Sequence, residues 1–211
     1  MLKDKRKILV ILLLILFCVL AIVVKLKENL VIDEKVYSFI SLMSSDIATA
    51  FFKAITYLGN VKFICCFCLI LLFINKTRVK IGIPLSIVTI MSGILNVILK
   101  NIFERQRPLI EQLVYEDSFS FPSGHSMIIA TIYVMIIYLS CRYIKSKKIK
   151  YTVNIISGLI IVLVGISRIY LRVHYFSDVF AGWLLGIIII LVYSIFNDKI
   201  EKIIKQRIKD V

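Results

Sequence analysis

Six long apolar segments, separated by short polar stretches, constrain the fold of this sequence more than any other feature. They cover residues of about 8–24, 55–74, 81–99, 126–141, 152–166 and 179–196. Each approaches the ~20 residues that a helix needs to cross a bilayer. Because 60% of the 211 residues are hydrophobic and apolar residues run continuously rather than at a strand period, a soluble enzyme and a β-barrel are both excluded. We therefore expect an all-α, integral membrane six-helix bundle that forms a single domain over residues 1–211.

The basic residues are distributed unequally between the two sides of this predicted bundle. The formal charge is +14, but most Lys and Arg residues lie in short segments between apolar runs, which argues against nucleic-acid binding. Counted by side, 17 of the 27 Lys and Arg residues fall on the side that carries both termini. The positive-inside rule then predicts a multi-pass protein of the cell membrane with both termini in the cytoplasm.

Residues 33–58 lie on the outer, extracytoplasmic side of this predicted arrangement. Apolar residues recur there at the i, i+3, i+4, i+7 spacing of an amphipathic helix, which we expect to lie on the membrane surface. Packing over the bundle is favoured over gating of a substrate, although periodicity by itself does not separate these two roles.

The two histidines of the chain, His125 and His174, both lie in outer-side segments. His125 ends the sequence Pro-Ser-Gly-His just before the fourth span, and His174 lies four residues before Asp178 at the start of the sixth. Three cations lie in the same outer-side segments: Lys100, Arg107 and Arg168. If spans three to six form a bundle, these segments meet in one basic pocket at the membrane surface.

A pocket of this composition suits a phosphate group, because its donors complement phosphoryl oxygens. Lys100 supplies a compact point charge, whereas Arg107 and Arg168 offer forked donors that can contact two oxygens at once. The hydroxyl of Ser123 and the backbone amide of Gly124 add neutral donors at the start of a helix. These five residues are the predicted phosphate-binding groups.

The remaining polar groups provide a nucleophile and an acid. Asp178 lies one helical turn after His174, so its carboxylate can accept a hydrogen bond from one ring nitrogen and leave the other free to attack phosphorus. We therefore predict that His174 is the nucleophile and that Asp178 orients it. His125 is predicted to protonate the leaving oxygen and later to activate the water that breaks the phosphohistidine.

The acidic residues between the third and fourth spans do not form a cluster that would suit Mg²⁺. They are spread along a polar loop, which we expect them to solvate: Glu104, Glu111, Glu116 and Asp117. The five cysteines lie in or at the edge of apolar runs, without a nearby histidine or second cysteine pair. We therefore expect no disulfide framework, no metal ion and no cofactor.

Three motifs, in this order along the chain, resemble the signature of the phosphatidic acid phosphatase type 2 superfamily. They are Lys100-x6-Arg107-Pro108, Pro122-Ser123-Gly124-His125 and Ser167-Arg168-x5-His174-x3-Asp178. The resemblance implies metal-independent dephosphorylation of a lipid phosphate, with the motif histidines and arginines in the roles given above. Because the superfamily also includes soluble acid phosphatases and vanadate-dependent haloperoxidases, the pocket alone leaves the reaction open, and it is the six spans that favour a lipid substrate.

The sidedness of the site favours undecaprenyl diphosphate as the substrate, since a carrier lipid released outside the cell presents its diphosphate there. A phosphatidylglycerophosphate or phosphatidate phosphatase is the alternative, because the superfamily resemblance covers both activities. A non-catalytic lipid-binding or transport protein is a remote alternative: apart from Lys62, the spans carry no mid-membrane ionisable residues of the kind that mark transport pathways. The sequence leaves the identity of the lipid and the oligomeric state open.

Overall fold

A computed structural model describes the backbone of residues 2–27 and 30–209 and the side chains of residues 5–27, 30–75 and 77–198. All regular structure within these residues is helical. The helices are α1 (Leu2–Leu26), α2 (Val31–Ser41), α3 (Asp46–Thr56), α4 (Val61–Phe73), α5 (Asn75–Thr77), α6 (Ile83–Phe103), α7 (Gly124–Tyr143), α8 (Lys147–Tyr170) and α9 (Phe176–Lys209). A 3₁₀ turn, Tyr57–Gly59, follows α3, and a π turn, Arg78–Gly82, precedes α6.

Among the described residues, five helical segments are long and apolar enough to cross a bilayer. They are most of α1, α6 with its π turn, α7, α8 and the part of α9 that ends at Asp198. The segments Asp46–Gly59 and Val61–Phe73 are bent by 48° relative to each other and together could supply a sixth span. Large apolar side chains cover the outward faces of the long helices, as lipid contact requires. The chain is therefore a multi-pass membrane protein with an all-α fold.

The region before α4 differs in detail from the sequence-based expectation. Residues 33–58 form two main helices rather than one, because the Ser45 side chain accepts a hydrogen bond from the Ala48 amide at 3.1 Å and starts α3. Asn60 caps α4 in the same way, accepting from the Lys62 amide at 2.9 Å. As a result α4 is a helix of only 13 residues, where the apolar run predicted a span from about residue 55.

Helices α2 and α3 pack over the outside of α8 rather than standing apart from the bundle. Ile40 of α2 and Phe52 of α3 belong to one apolar cluster with Tyr170 at the end of α8. The Tyr170 hydroxyl lies 2.9 Å from the Thr49 hydroxyl, which ties α3 to α8 by a polar contact as well. This packing fixes the residues that precede α4 against the segment that carries Arg168.

The centre of the bundle is a close contact between α7 and α9. A Cβ atom at Gly182 would lie 2.8 Å from the Ser123 carbonyl oxygen, and one at Gly186 would lie 2.6 Å from the Ala130 Cβ. Two glycines one helical turn apart therefore let the two backbones approach more closely than side chains would permit. The start of α7 is consequently held against the start of α9.

The two ends of the bundle carry different polar groups. At one end Asp198 accepts hydrogen bonds from Arg6 at 2.6 Å and from Arg142 at 3.1 Å, which joins α1, α7 and α9. The opposite end, here called the motif end, contains the end of α6, the 104–123 loop, the start of α7 and residues 167–178. All three sequence motifs therefore meet at one end of the bundle.

Candidate active site

The first motif places two cations around one serine of the 104–123 loop. Lys100, in the last turn of α6, donates from Nζ to the Ser118 hydroxyl at 3.3 Å and to the Phe119 carbonyl. Arg107 donates from Nε to the Ser118 carbonyl at 2.6 Å and from Nη2 to the Ser118 hydroxyl at 3.1 Å. The loop thus folds back so that Lys100 and Arg107 face the same place.

The second motif is held between α6 and α9. The Asn96 side chain donates to the Pro122 carbonyl at 3.1 Å, and the Ser123 amide donates to the Asp178 carbonyl at 3.0 Å. A Cβ at Gly124 would lie 2.9 Å from Asn96 Oδ1, so glycine lets the start of α7 lie close to the Asn96 side chain without displacing it. Ser123 is fully buried, and its hydroxyl accepts a hydrogen bond from Ser126 at 3.0 Å.

The third motif brings His174 between a carboxylate and a guanidinium. Its Nδ1 lies 3.3 Å from Asp178 Oδ2, and its Nε2 lies 3.3 Å from Arg107 Nη1. These partners assign the proton to Nδ1, so that Nε2 carries the lone pair. Burial, followed by the positive charges of Arg107 and Arg168, holds the pKa of His174 well below its ordinary value. The imidazole of His174 is therefore neutral at neutral pH.

Glu116 connects the remaining members of the site. Its Oε1 accepts a hydrogen bond from Arg168 Nη2 at 2.5 Å and lies 3.8 Å from His125 Nδ1, while Oε2 lies 3.7 Å from Arg107 Nη2. The sequence-based expectation that Glu116 solvates the loop is therefore wrong. The cause is the local excess of positive charge, which attracts this loop carboxylate. Arg168 also donates to the Thr56 hydroxyl at 2.7 Å, so the end of α3 borders the site.

Sequence reasoning missed several polar residues that contact these groups, namely Asp33, Thr56, Asn96, Arg105 and Glu116. A signal was present for Asn96, because a polar amide inside an apolar span needs a partner. Arg105 lies just after the third apolar run, where a basic residue ordinarily anchors the helix end at the membrane surface, so the sequence does not single it out. For Asp33 and Glu116 the sequence offers no signal that separates them from exposed acidic residues nearby.

Gly59 supports the imidazole of His125 from the side of α4, and this contact gives a first prediction. A Cβ at Gly59 would lie 2.7 Å from His125 Cδ2, too close for both to stay in place. Gly59→Ala is expected to displace the ring and to lower kcat by roughly 10- to 100-fold, because a shift of about 1 Å can cost that much. The matched control is Gly93→Ala, whose Cβ would meet nothing within 4 Å. Equal kcat values for the two purified variants would contradict the placement of His125.

The described part of the chain is thus a helical membrane bundle that gathers both histidines and the motif cations Lys100, Arg107 and Arg168 at one end. Residues 81–201 match the model of the PAP2 superfamily. The chain belongs to this superfamily and is a lipid phosphatase of the PAP2 type. The alternative of a non-catalytic binding or transport protein is therefore set aside.

Two relatives with assigned activities are similar in sequence. The chain is 43% identical to phosphatidylglycerophosphatase B of Bacillus subtilis (strain 168) over 125 residues, which are 57% of this chain and 60% of that protein. It is 30% identical to an undecaprenyl-diphosphatase of Sulfolobus acidocaldarius over 185 residues, which cover 82% of this chain and 84% of the relative. The match to the first relative thus spans less than two thirds of its length.

Two solved structures share the fold. The crystal structure of a transmembrane PAP2-type phosphatidylglycerolphosphate phosphatase from Bacillus subtilis has 34% sequence identity and a TM-score of 0.80, covering 90% of this chain and 96% of that one. The crystal structure of Aquifex aeolicus LpxE has 27% identity and a TM-score of 0.64, covering 79% of this chain and 98% of that one. The similarity therefore extends over most of the helical bundle.

Proposed function

We propose that the protein hydrolyses the phosphate of a membrane lipid through a phosphohistidine on His174, without a metal ion. The observation that carries this proposal is the position of His174, whose Nδ1 faces Asp178 while Nε2 faces Arg107. A neutral imidazole with its lone pair directed toward a guanidinium is suited to attack a phosphoryl group bound by that guanidinium. A chelator is expected to leave the activity unchanged.

Glu116 supports the assignment of the phosphate-binding groups. Its carboxylate lies among Arg168, Arg107 and His125. An anionic phosphoryl group at this place could accept hydrogen bonds from the same three side chains, and it has more oxygens than a carboxylate with which to do so. Substrate binding then displaces Glu116 from Arg168. Lys100 and the amide of Gly124 at the start of α7 complete the proposed oxyanion contacts, and Ser123 adds its hydroxyl.

The reaction proceeds in two steps on these residues. His174 Nε2 attacks phosphorus, the bond from phosphorus to the leaving oxygen breaks, and His125 gives its proton to that oxygen. His125 then removes a proton from water, the water oxygen attacks the phosphohistidine, and free phosphate leaves as His174 is regenerated. The Asp178 carboxylate accepts a hydrogen bond from the protonated Nδ1 of His174 in both steps. Its negative charge balances the positive charge that develops on the ring.

We propose further that the motif end faces the extracytoplasmic side, with both termini in the cytoplasm. The excess of Lys and Arg in the segments at the opposite end supports this orientation. In a background lacking the five native cysteines, Glu111→Cys is expected to react with an impermeant thiol reagent applied to intact cells, whereas Lys148→Cys is not. Labelling of Lys148→Cys alone would invert the proposed topology.

The substrate that the relatives favour is phosphatidylglycerophosphate. A relative with 43% identity and a solved structure covering 90% of this chain both carry that activity in their names. A cleft of about 500 Å³ beside Arg107 is lined by both charged and apolar side chains, among them Lys25, Glu104, Phe103 and Leu109, and it offers room for a polar lipid headgroup next to an apolar surface. Phosphatidylglycerophosphate therefore ranks above undecaprenyl diphosphate, which is the substrate that sidedness alone favours.

Undecaprenyl diphosphate is the second candidate, since the relative from Sulfolobus acidocaldarius covers 82% of this chain. Purified protein given equimolar phosphatidylglycerophosphate, undecaprenyl diphosphate and phosphatidate in mixed micelles decides between them. We expect the highest kcat/KM for phosphatidylglycerophosphate. A value at least tenfold higher for undecaprenyl diphosphate, which corresponds to about 1.4 kcal/mol of transition-state binding, would transfer the assignment to the second candidate.

A further inference from the structure

Two charged residues that the proposed reaction does not use lie buried directly behind Asp178. Arg105, in the 104–123 loop, donates from Nη1 to Asp178 Oδ1 at 2.6 Å and from Nη2 to Asp33 Oδ2 at 2.9 Å. Their side chains are almost completely buried, with 5% of Arg105 and 1% of Asp33 exposed. Burying these charges is costly even when they are paired, so their depth distinguishes them from anchors at a membrane surface.

Asp33 is fixed by α9 as well as by Arg105. Its Oδ1 accepts a hydrogen bond from the Ser177 amide at 2.7 Å, and its Oδ2 accepts one from the Ser177 hydroxyl at 2.7 Å. Ser177 lies in the first turn of α9, where backbone N–H groups have no partner inside the helix. Asp33 therefore joins α2 to the start of the helix that carries Asp178.

These contacts leave the Asp178 carboxylate little freedom to rotate. Arg105 holds Oδ1, while the Tyr175 amide donates to Oδ2 at 2.9 Å on the side of His174. The guanidinium of Arg105 is itself held over the Tyr175 ring, with Cζ 4.1 Å from the ring centroid. The oxygen that faces His174 Nδ1 is thus set by groups outside the three motifs as well as by the motif itself.

We propose that Arg105 and Asp33 are positioning residues for the reaction, forming with Asp178 a buried chain that fixes the tautomer and the ring orientation of His174. This inference rests on His174 being the nucleophile. Asp33 and Asp178 carry two negative charges and Arg105 one positive charge, which leaves one negative charge in excess. That excess complements the positive charge that the His174 ring gains when Nε2 binds phosphorus. Without Asp33, the charge of Arg105 would offset that of Asp178.

Conservative variants test the role of each residue. Arg105→Lys keeps the charge but loses the fork that spans both aspartates, and Asp33→Asn keeps the shape but loses the charge. Each is expected to lower kcat by roughly 10- to 100-fold, the size of loss that follows removal of a hydrogen-bond partner behind a functional histidine. KM and inhibition by vanadate are expected to stay within about twofold, because both residues act on Asp178 rather than on the bound phosphate. The matched control is Glu34→Gln, the exposed neighbour of Asp33.

A double-mutant cycle separates positioning from a general structural role. In an Asp178→Asn background, Arg105→Lys and Asp33→Asn are expected to lower kcat by less than about twofold more, because their effect passes through Asp178. Additive losses, losses expressed mainly in KM, or wild-type kcat in both single variants would overturn the inference. If Arg105→Lys does not fold, the cycle with Asp33→Asn decides the question by itself. An active His174→Ala variant would instead overturn the proposed nucleophile itself.

Discussion

His174→Ala is expected to lower kcat by roughly four orders of magnitude or more, as removal of a catalytic nucleophile generally does. In the proposed reaction the imidazole of His174 forms the bond to phosphorus, and among the described residues His174 is the histidine that lies between Asp178 and Arg107. Water attacking directly would lack the preorganised nucleophile and its charge partner. Turnover of phosphatidylglycerophosphate in detergent micelles, followed by phosphate release, measures the loss.

His174→Gln serves as a second variant, because it retains a polar side chain and guards against collapse of the buried site. Both variants should elute as the wild type does from size-exclusion chromatography. His125→Ala is expected to be impaired in both half-reactions yet still to accept a phosphoryl group slowly. Retention of more than a few per cent of wild-type kcat in both His174 variants would remove this residue from the mechanism.

Arg168→Met is expected to lower kcat/KM by about three orders of magnitude, the usual range for loss of an arginine that stabilises a transferring phosphoryl group. Arg168 is only 1% exposed and directs Nη2 at the carboxylate that stands in the proposed phosphate position. Its charge would act there in a site largely excluded from water, where electrostatic stabilisation is strong. Steady-state kinetics with the wild type and the variant measure both kcat and KM.

The Arg168 variant is expected to remain folded, because its partner Glu116 already has 26% of its side chain exposed and water can solvate that carboxylate when the guanidinium is lost. Arg172→Met is the matched control, because Arg172 lies four residues further along the chain and is not among the proposed phosphate ligands. Arg168→Lys should recover part of the activity by restoring charge without the fork. Equal kcat/KM for Arg168→Met and Arg172→Met would refute the proposed pocket.

The helical membrane fold and the convergence of the motifs were accessible from the sequence, because both depend on local patterns. Continuous apolar runs specify helices that cross a membrane, and their order places alternate connections on the same side. The segment with His125 follows the third apolar run, and the segment with His174 follows the fifth. Because both follow odd-numbered spans, counting spans places them at the same end of the bundle. The i, i+4 spacing of His174 and Asp178 likewise predicts contact between their side chains.

The network behind the site was not accessible, because it depends on long-range contacts. Asp33 is separated from Ser177 by 144 residues and from Arg105 by 72, and no local period links them. Glu116 and Glu111 lie in the same polar loop with similar neighbours in the sequence. Only the folded path of the 104–123 loop brings Glu116 to Arg168. The break between α2 and α3 was missed because apolar periodicity continues across Ser45, whose capping role depends on the side-chain geometry.

The central claim, covalent catalysis by His174, is tested most directly by trapping the phosphoenzyme. Protein mixed with a ³²P-labelled lipid phosphate is quenched within milliseconds, and the acid-labile, alkali-stable label is mapped to a peptide. The account predicts label on His174 in the wild type, a larger steady-state amount in His125→Ala if dephosphorylation is slowed more than phosphorylation, and none in His174→Ala. Label on another residue, or labelled His174→Ala protein, would contradict it.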